Sequence, residues 1–345
     1  MTVRSDTGRP IGAGTVVVVT GASAGVGRAV VRALGSRGAS VGLLARGADG
    51  LEGARREVES AGGRALALIV DVADASAVED VASRIETELG PIDVWINNAM
   101  TSVYSPVHEM TADEYRRVTE VTYLGAVHGT ISALRRMRQR DAGVIVQVGS
   151  ALAYRSIPLQ SAYCAAKHAL RGFTESLRTE LIHEQSGVGV TIVHLPALNT
   201  PQFGWVRSRL PRKAQPVPPI FQPEVAAAAI VWAAEHVPRE LDVGAPTVLA
   251  ILGEKLAPGL MDRYLASAAW NGQMYNGPRD PDQPDNLLQP LPGDRGARGA
   301  FDARARDWST QLWLATHPSL YRGLAVGLGL AAGVWTARRS RPNSS

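Results

Sequence analysis

Tyr163 and Lys167 stand four residues apart in the Ala-rich stretch Tyr163-Cys164-Ala165-Ala166-Lys167-His168-Ala169-Leu170. On a helix that spacing sets both side chains on one face, an ammonium beside a phenol. A free phenol titrates near about 10, and a neighbouring cation favours its anion. The pair therefore reads as acid/base chemistry on a substrate oxygen, with Tyr163 exchanging the proton and Lys167 lowering its pKa. Thirteen residues earlier, Ser150 follows the apolar run Val144 to Val148, where its hydroxyl would orient a reacting carbonyl. Alone, a Tyr/Lys pair at this spacing is usually an ordinary surface or packing pair, and the glycine turn upstream changes that reading.

A second pattern is of a different kind. The run Val16 to Thr20 leads into Thr20-Gly21-Ala22-Ser23-Ala24-Gly25-Val26-Gly27-Arg28 and then an Ala/Val-rich helical stretch. Strand, glycine turn and helix start form a phosphate cradle: glycine lets the backbone approach a pyrophosphate, and N–H groups at the helix start point at the anion. Gly12-Ala13-Gly14 precedes the strand and reads as a flexible lead-in. The second strand ends Leu43-Leu44-Ala45-Arg46, with no carboxylate at its tip. Arg46 would accept a 2′-phosphate, which favours NADP(H) over NAD(H). Asp49, also about twenty residues beyond the glycines, is the rival reading as a ribose ligand.

These groups need a scaffold, and the chain supplies an alternating one. Apolar runs at Val16 to Thr20, Ser40 to Ala45, Ala65 to Val70, Val94 to Ile96, Val144 to Val148, Val190 to His194 and Thr247 to Ile251 are separated by helical patterns. Near-continuous Val/Ile/Leu runs are those of strands buried on both faces, so the expected fold is α/β: a Rossmann-type doubly wound parallel sheet in a single domain with an irregular C-terminal extension. The expected division is a flexible N-terminal tail at 1–11, the dinucleotide-binding catalytic domain at 12–255, a Pro/Gly-rich extension at 256–318, an apolar tail segment at 319–337 and a basic terminus at 338–345. Composition agrees, with 345 residues, 45% apolar and 20% charged, which excludes coiled-coil, collagen-like and fully disordered classes. A net charge of +4 from 36 basic and 32 acidic side chains is too slight for a nucleic-acid footprint.

The sequence resembles a classical short-chain dehydrogenase/reductase. The matching pieces are TGASAGVG at Thr20 to Gly27, Asp71-Val72, Asn97-Asn98-Ala99, Ser150, Tyr163 with Lys167, and Pro196 with Thr200. The resemblance implies that Asp71 and Val72 contact adenine, and that Asn98, followed by Ala99, steadies the sheet beside the cofactor. It further implies that Lys167 holds the nicotinamide ribose and that Pro196 and Thr200 frame the nicotinamide. It implies a homo-oligomer and a small alcohol or carbonyl substrate. One departure bears on catalysis: Thr122 stands where the family usually has an asparagine that helps hold a proton-relaying water. A single hydroxyl in place of an amide would reroute or weaken that relay, or serve simply as a tolerated hydrogen-bonding residue.

Phe203, Trp205, Ile220 and Phe221 fall in the stretch that the resemblance assigns to a substrate lid, which suggests an apolar or mixed substrate. Arg207, Arg209, Arg212 and Lys213 read either as a solvated run or as partners for a substrate anion. Cys164, the one cysteine, is assigned no role, and the seven histidines have no metal-ligand spacing, so no metal is expected. The polar N-terminus suggests a cytoplasmic body. The segment Leu320 to Ala337, followed by Arg338, Arg339 and Arg341, suggests a membrane-surface or protein contact. A catalytically weak, dinucleotide-sensing regulator is the competing function.

Overall fold

The computed structural model describes residues 9–317, so the segment 320–337 and the basic terminus lie outside the described residues. Seven parallel strands make the central sheet: β1 (Val16–Thr20), β2 (Ser40–Ala45), β3 (Arg64–Ile69), β4 (Val94–Asn97), β5 (Gly143–Ser150), β6 (Val188–Leu195) and β7 (Glu240–Asp242). Their spatial order is β3-β2-β1-β4-β5-β6-β7. The order reverses between β1 and β4, and the crevice beyond the carboxyl ends at such a reversal is where open α/β sheets bind ligands.

Strand alternation splits the core into two layers. Val17, Val19, Val41 and Leu43 face helices α1 (Gly25–Gly35), α2 (Ala48–Ser60) and, farther along the chain, the helix Pro223–His236. Val16, Val18, Leu44, Trp95 and Ile145 face α3 (Ala75–Leu89), the helix Gly125–Arg140 and the long helix Ser161–His183. Each fully buried Leu or Ile contributes about 1.5–3 kcal/mol by leaving water. Where β4 meets β5 the core turns polar. The Asn97 amide donates to Thr130 Oγ1 at 3.0 Å and to Gln147 Oε1 at 3.1 Å, while Trp95 Nε1 donates to Asn97 Oδ1 at 2.9 Å. All four side chains are buried, so a shifted register would strand their amides without partners, at about 1–3 kcal/mol each.

With α4 (Ala112–Thr119), α5 (Gly125–Arg140), α6 (Ser161–His183) and α7 (Pro223–His236), the remaining helices are α8 (Ala245–Leu256), α9 (Pro258–Gly272) and α10 (Thr310–Thr316). The run Thr247 to Ile251, expected as a strand, lies inside α8. Gly244 turns the chain out of β7 at φ 82°, and Pro246 occupies the first turn, where its fixed φ suits a helix. Thr247 and Ile251 are buried while Leu249 and Leu252 are exposed, the pattern of a helix face. The seventh strand is instead β7.

Beyond α9 the Pro/Gly-rich extension packs against the body. Met274–Pro278 pairs antiparallel with Arg212–Ala214, and Ala305–Arg306 pairs with Ile220–Phe221. Leu287 is buried with Val103, Val118 and Ala162, and Ala297 is buried in the larger core layer.

Candidate active site

The glycine turn after β1 has the conformation its composition demands. Gly21 and Gly25 take φ of 68° and 59°, which disfavour a side chain. A Cβ on Gly27 would lie 2.1 Å from Gly21 O and 2.6 Å from Asn98 Nδ2, so α1 packs against the turn only because that atom is missing. Thr20 Oγ1 accepts from the backbone N–H of Asn98 at 2.9 Å and of Ala99 at 3.0 Å. Asn98 Nδ2 returns a bond to Thr20 O at 2.9 Å. Thr20 and Asn98 thus rivet the phosphate turn to the end of β4.

One cavity of about 590 Å³ runs along the carboxyl ends of the strands. Gly21, Ser23, Gly25, Val26, Arg46, Asp71, Val72, Asn98 and Ala99 line one part, and Ser150, Tyr163, Lys167, Pro196 and Thr200 another. Thr20, Gly27 and Thr122 are not on its wall, and they act through the residues they hold. Asp71 pairs with Arg117 and caps its own turn by accepting from Ala73 N at 3.1 Å. Arg46 donates to the carbonyls of Asn286, Leu287 and Leu288, and Asp49 accepts from Gly293 N at 2.6 Å. Both candidates for reading the ribose are therefore in contact with the extension.

Ser150 ends β5, and Tyr163 and Lys167 occupy the first two turns of α6. The Lys167 ammonium lies 5.6 Å from the Tyr163 ring centroid, and its Nζ donates to Val148 O at 2.6 Å. The expected lowering of the Tyr163 pKa is not what this geometry gives. Burial raises the phenol above its ordinary value, with a hydrogen bond to Ser150 opposing it. Burial also pushes Lys167 down, to about 8. Desolvation is the leading cause at both groups.

That lysine has a stability consequence with a definite sign. Below about pH 8 it is charged in both folded and unfolded chains, and its burial penalty is constant. Between about 8 and the ordinary 10.5 the unfolded chain holds a proton that the folded chain has shed, so stability is expected to rise with pH across that window. Denaturant melts of wild type and Lys167→Met as a function of pH check this; parallel curves would refute it.

Thr122, read from sequence either as a weakened relay or as a tolerated hydrogen-bonding residue, is buried. It sits in a π-helical turn, Glu120–Leu124, where its hydroxyl accepts from Thr101 N at 3.0 Å and donates to Thr101 O at 2.9 Å. Both bonds tie the helix to the loop after β4.

Behind Ser150, the buried His194 on β6 faces two acceptors, Ser150 O at 3.2 Å and Glu240 Oε2 at 3.3 Å. Glu240, hydrogen-bonded by His194 and by the Tyr154 hydroxyl, is held down at about 2. No spacing rule pointed to this support for Ser150, because its members come from three separate segments. The substrate end of the cavity is walled by Tyr104, Phe203, Trp205, Val206 and Leu265. Arg207 and Arg209 lie off that wall, paired with Glu114 and, for Arg207, also Asp285. No cluster of metal-ligating side chains occurs among the described residues, nor does any described helix have the length and apolarity to cross a membrane.

Comparison with known proteins gives a consistent picture. A family profile described as short chain dehydrogenase matches residues 15–210. An uncharacterized oxidoreductase of Bacillus subtilis (strain 168), YxnA, is 33% identical over 329 residues, covering 94% of this chain and 90% of the relative. A fatty acyl-CoA reductase of Acinetobacter baylyi is 30% identical over 230 residues, 66% of this chain and 75% of that one. Among solved structures, an alcohol dehydrogenase from the archaeon Thermococcus sibiricus, complexed with 5-hydroxy-NADP, superposes with a TM-score of 0.57 at 27% identity, covering 66% of this chain and 95% of its own.

Proposed function

The chain belongs to the short-chain dehydrogenase family and is an oxidoreductase acting on CH–OH or C=O groups, and from that membership we propose an NADP(H)-dependent enzyme for an apolar alcohol or carbonyl, with Tyr163 as its acid/base. The observation that carries the proposal is that the glycine turn and the Ser150, Tyr163 and Lys167 side chains open onto one cavity. The turn fits a dinucleotide: Gly21 and Gly25 line the cavity without side chains, and a Cβ on Gly21 would lie 2.9 Å from Ala99 Cα, so the turn keeps its close seat on the end of β4 only with glycine there. When bound, the nicotinamide supplies hydride exchange with the reacting carbon. Tyr163 Oη gives or takes the proton at the substrate oxygen, and Ser150 Oγ orients that oxygen. Lys167, its ammonium anchored on Val148 O, lines the same wall and steadies the phenolate form when Tyr163 ionises. Tyr104, Phe203 and Trp205 exclude water from the reacting centre and favour an apolar substrate. The named substrate class of the Acinetobacter relative, a fatty acyl thioester, supports the same reading.

NADP(H) preference rests on Arg46. A guanidinium has five N–H donors, and the carbonyls of Asn286, Leu287 and Leu288 leave some of them for a 2′-phosphate. Asp49, the carboxylate that would favour an unphosphorylated ribose, is engaged by Gly293. Fluorescence titration with NADPH and NADH tests both points. We expect tighter NADPH binding in the wild type and a fall of roughly tenfold or more in the NADPH/NADH affinity ratio for Arg46→Ala, the worth of a charge-assisted hydrogen bond. An unchanged ratio removes Arg46 from the assignment; binding of neither nucleotide favours a non-catalytic role.

A further inference from the structure

We propose that residues 288–296 of the extension are a clasp over the phosphate-bearing half of the dinucleotide site, part of its wall and obliged to shift for the nucleotide to enter or leave. The proposal rests on the nucleotide-binding function above. The segment is pinned at both ends, by Leu287 in its small apolar cluster and by Ala297 in the main core. Between those anchors Leu288, Pro290 and Asp294 are exposed, so the middle has little apolar burial to hold it. Polar latches hold it instead. Asp294 receives Arg28 Nη1 at 2.9 Å and Nη2 at 3.0 Å, and Gly53 leaves room for that carboxylate, since a Cβ there would lie 2.0 Å from Asp294 Oδ2. Arg46 Nη1 donates to Leu288 O at 2.9 Å, and Gly293 N donates to Asp49. Gly25 N donates to Gly296 O at 3.0 Å.

Two facts make this a working part of the site. Pro290, Leu291, Gly293 and Arg295 wall the same cavity as Ser23, Gly25 and Arg46, so a nucleotide seated on the glycine turn lies against the strap. In addition, the Gly25 N–H and the Arg46 guanidinium are donors suited to phosphate, and the strap's carbonyls hold both. A phosphate oxygen is the stronger acceptor because its bonds are charge-assisted. Seating the nucleotide therefore sets phosphate oxygens in competition with the Leu288 and Gly296 carbonyls for these donors, with Arg295 on the same wall. The segment lies beyond the residues matched by the family profile, so this wall is an addition of the longer chain.

Stopped-flow displacement of NADPH from the full-length protein tests the clasp. Asp294→Ala unlatches the strap while Arg28 keeps Glu57 and the carbonyls of Ser23 and Gly50. The expected result is NADPH dissociation at least about tenfold faster, the equivalent of about 1.4 kcal/mol, from a protein with unchanged circular dichroism. A dissociation rate within about twofold of wild type overturns the clasp while leaving the oxidoreductase reading intact. Should the variant not fold, hydrogen exchange on the wild type decides: slower exchange of the 288–296 amides with NADPH supports the clasp, and identical exchange overturns it. A wild type that binds no NADPH overturns the nucleotide-binding function itself.

Discussion

Tyr163→Phe is expected to lower turnover by about 10²–10⁴-fold, the usual contribution of one positioned acid/base group, while NADPH affinity stays near the wild-type value. The substitution removes one oxygen and keeps the ring in the wall of the cavity. Ser150 Oγ accepts from Leu152 N at 3.1 Å and Lys167 Nζ donates to Val148 O at 2.6 Å, bonds that hold both side chains beside the ring without supplying its phenolic proton. Steady-state rates on a panel of apolar ketones and aldehydes, with NADPH binding measured in parallel, check the prediction. Retained turnover would move the acid/base role elsewhere; lost turnover with lost binding would show that Tyr163 is needed for the cavity's shape.

The second large effect is expected at Gly27. Adding a methyl there drives it into Gly21 O and Asn98 Nδ2, one a backbone atom and the other the rivet between β1 and β4. Neither has a flexible end that can swing aside. The start of α1 must retreat, at a cost of about 1–3 kcal/mol in stability. The amides aimed at the pyrophosphate move with it, and nucleotide affinity is expected to fall by about 100-fold or more, corresponding to about 2.7 kcal/mol. Gly172→Ala in α6 is the matched control: its Cβ meets nothing within 4 Å, so it should be neutral or stabilise the protein by up to about 1 kcal/mol. Equal nucleotide affinity for wild type and Gly27→Ala would refute the close-approach account of the turn.

What could be read in advance follows from how local each signal is. The glycine turn and the Tyr163/Lys167 pair are compact patterns whose spacing carries its own geometry, and the structure opens both onto one cavity. Thr247 to Ile251 misled because a five-residue apolar run suits a strand and a helix face alike. The true edge strand, Glu240–Asp242, has a single apolar residue and so gives almost no signal. The strap was visible only as a Pro/Gly-rich stretch. Its contacts with Arg46 and Gly25 are made largely through backbone carbonyls, which every residue has, across more than two hundred positions. Burial at Tyr163 is hidden from the sequence for a related reason: charge proximity can be read from spacing, whereas desolvation depends on everything packed around the ring.

The Asn97, Gln147 and Thr130 network lies one residue before Asn98 and three before Ser150. β4 runs directly into Asn98, which fastens the glycine turn, and β5 ends in Ser150, the hydroxyl proposed to meet the reacting oxygen. Cross-linking the two strands through buried amides forbids them to slide past each other. It makes them a ruler, with the cofactor's anchor at one mark and the chemistry at the other. Loops and strap can then vary in length or opening without changing the gap across which a hydride has to pass.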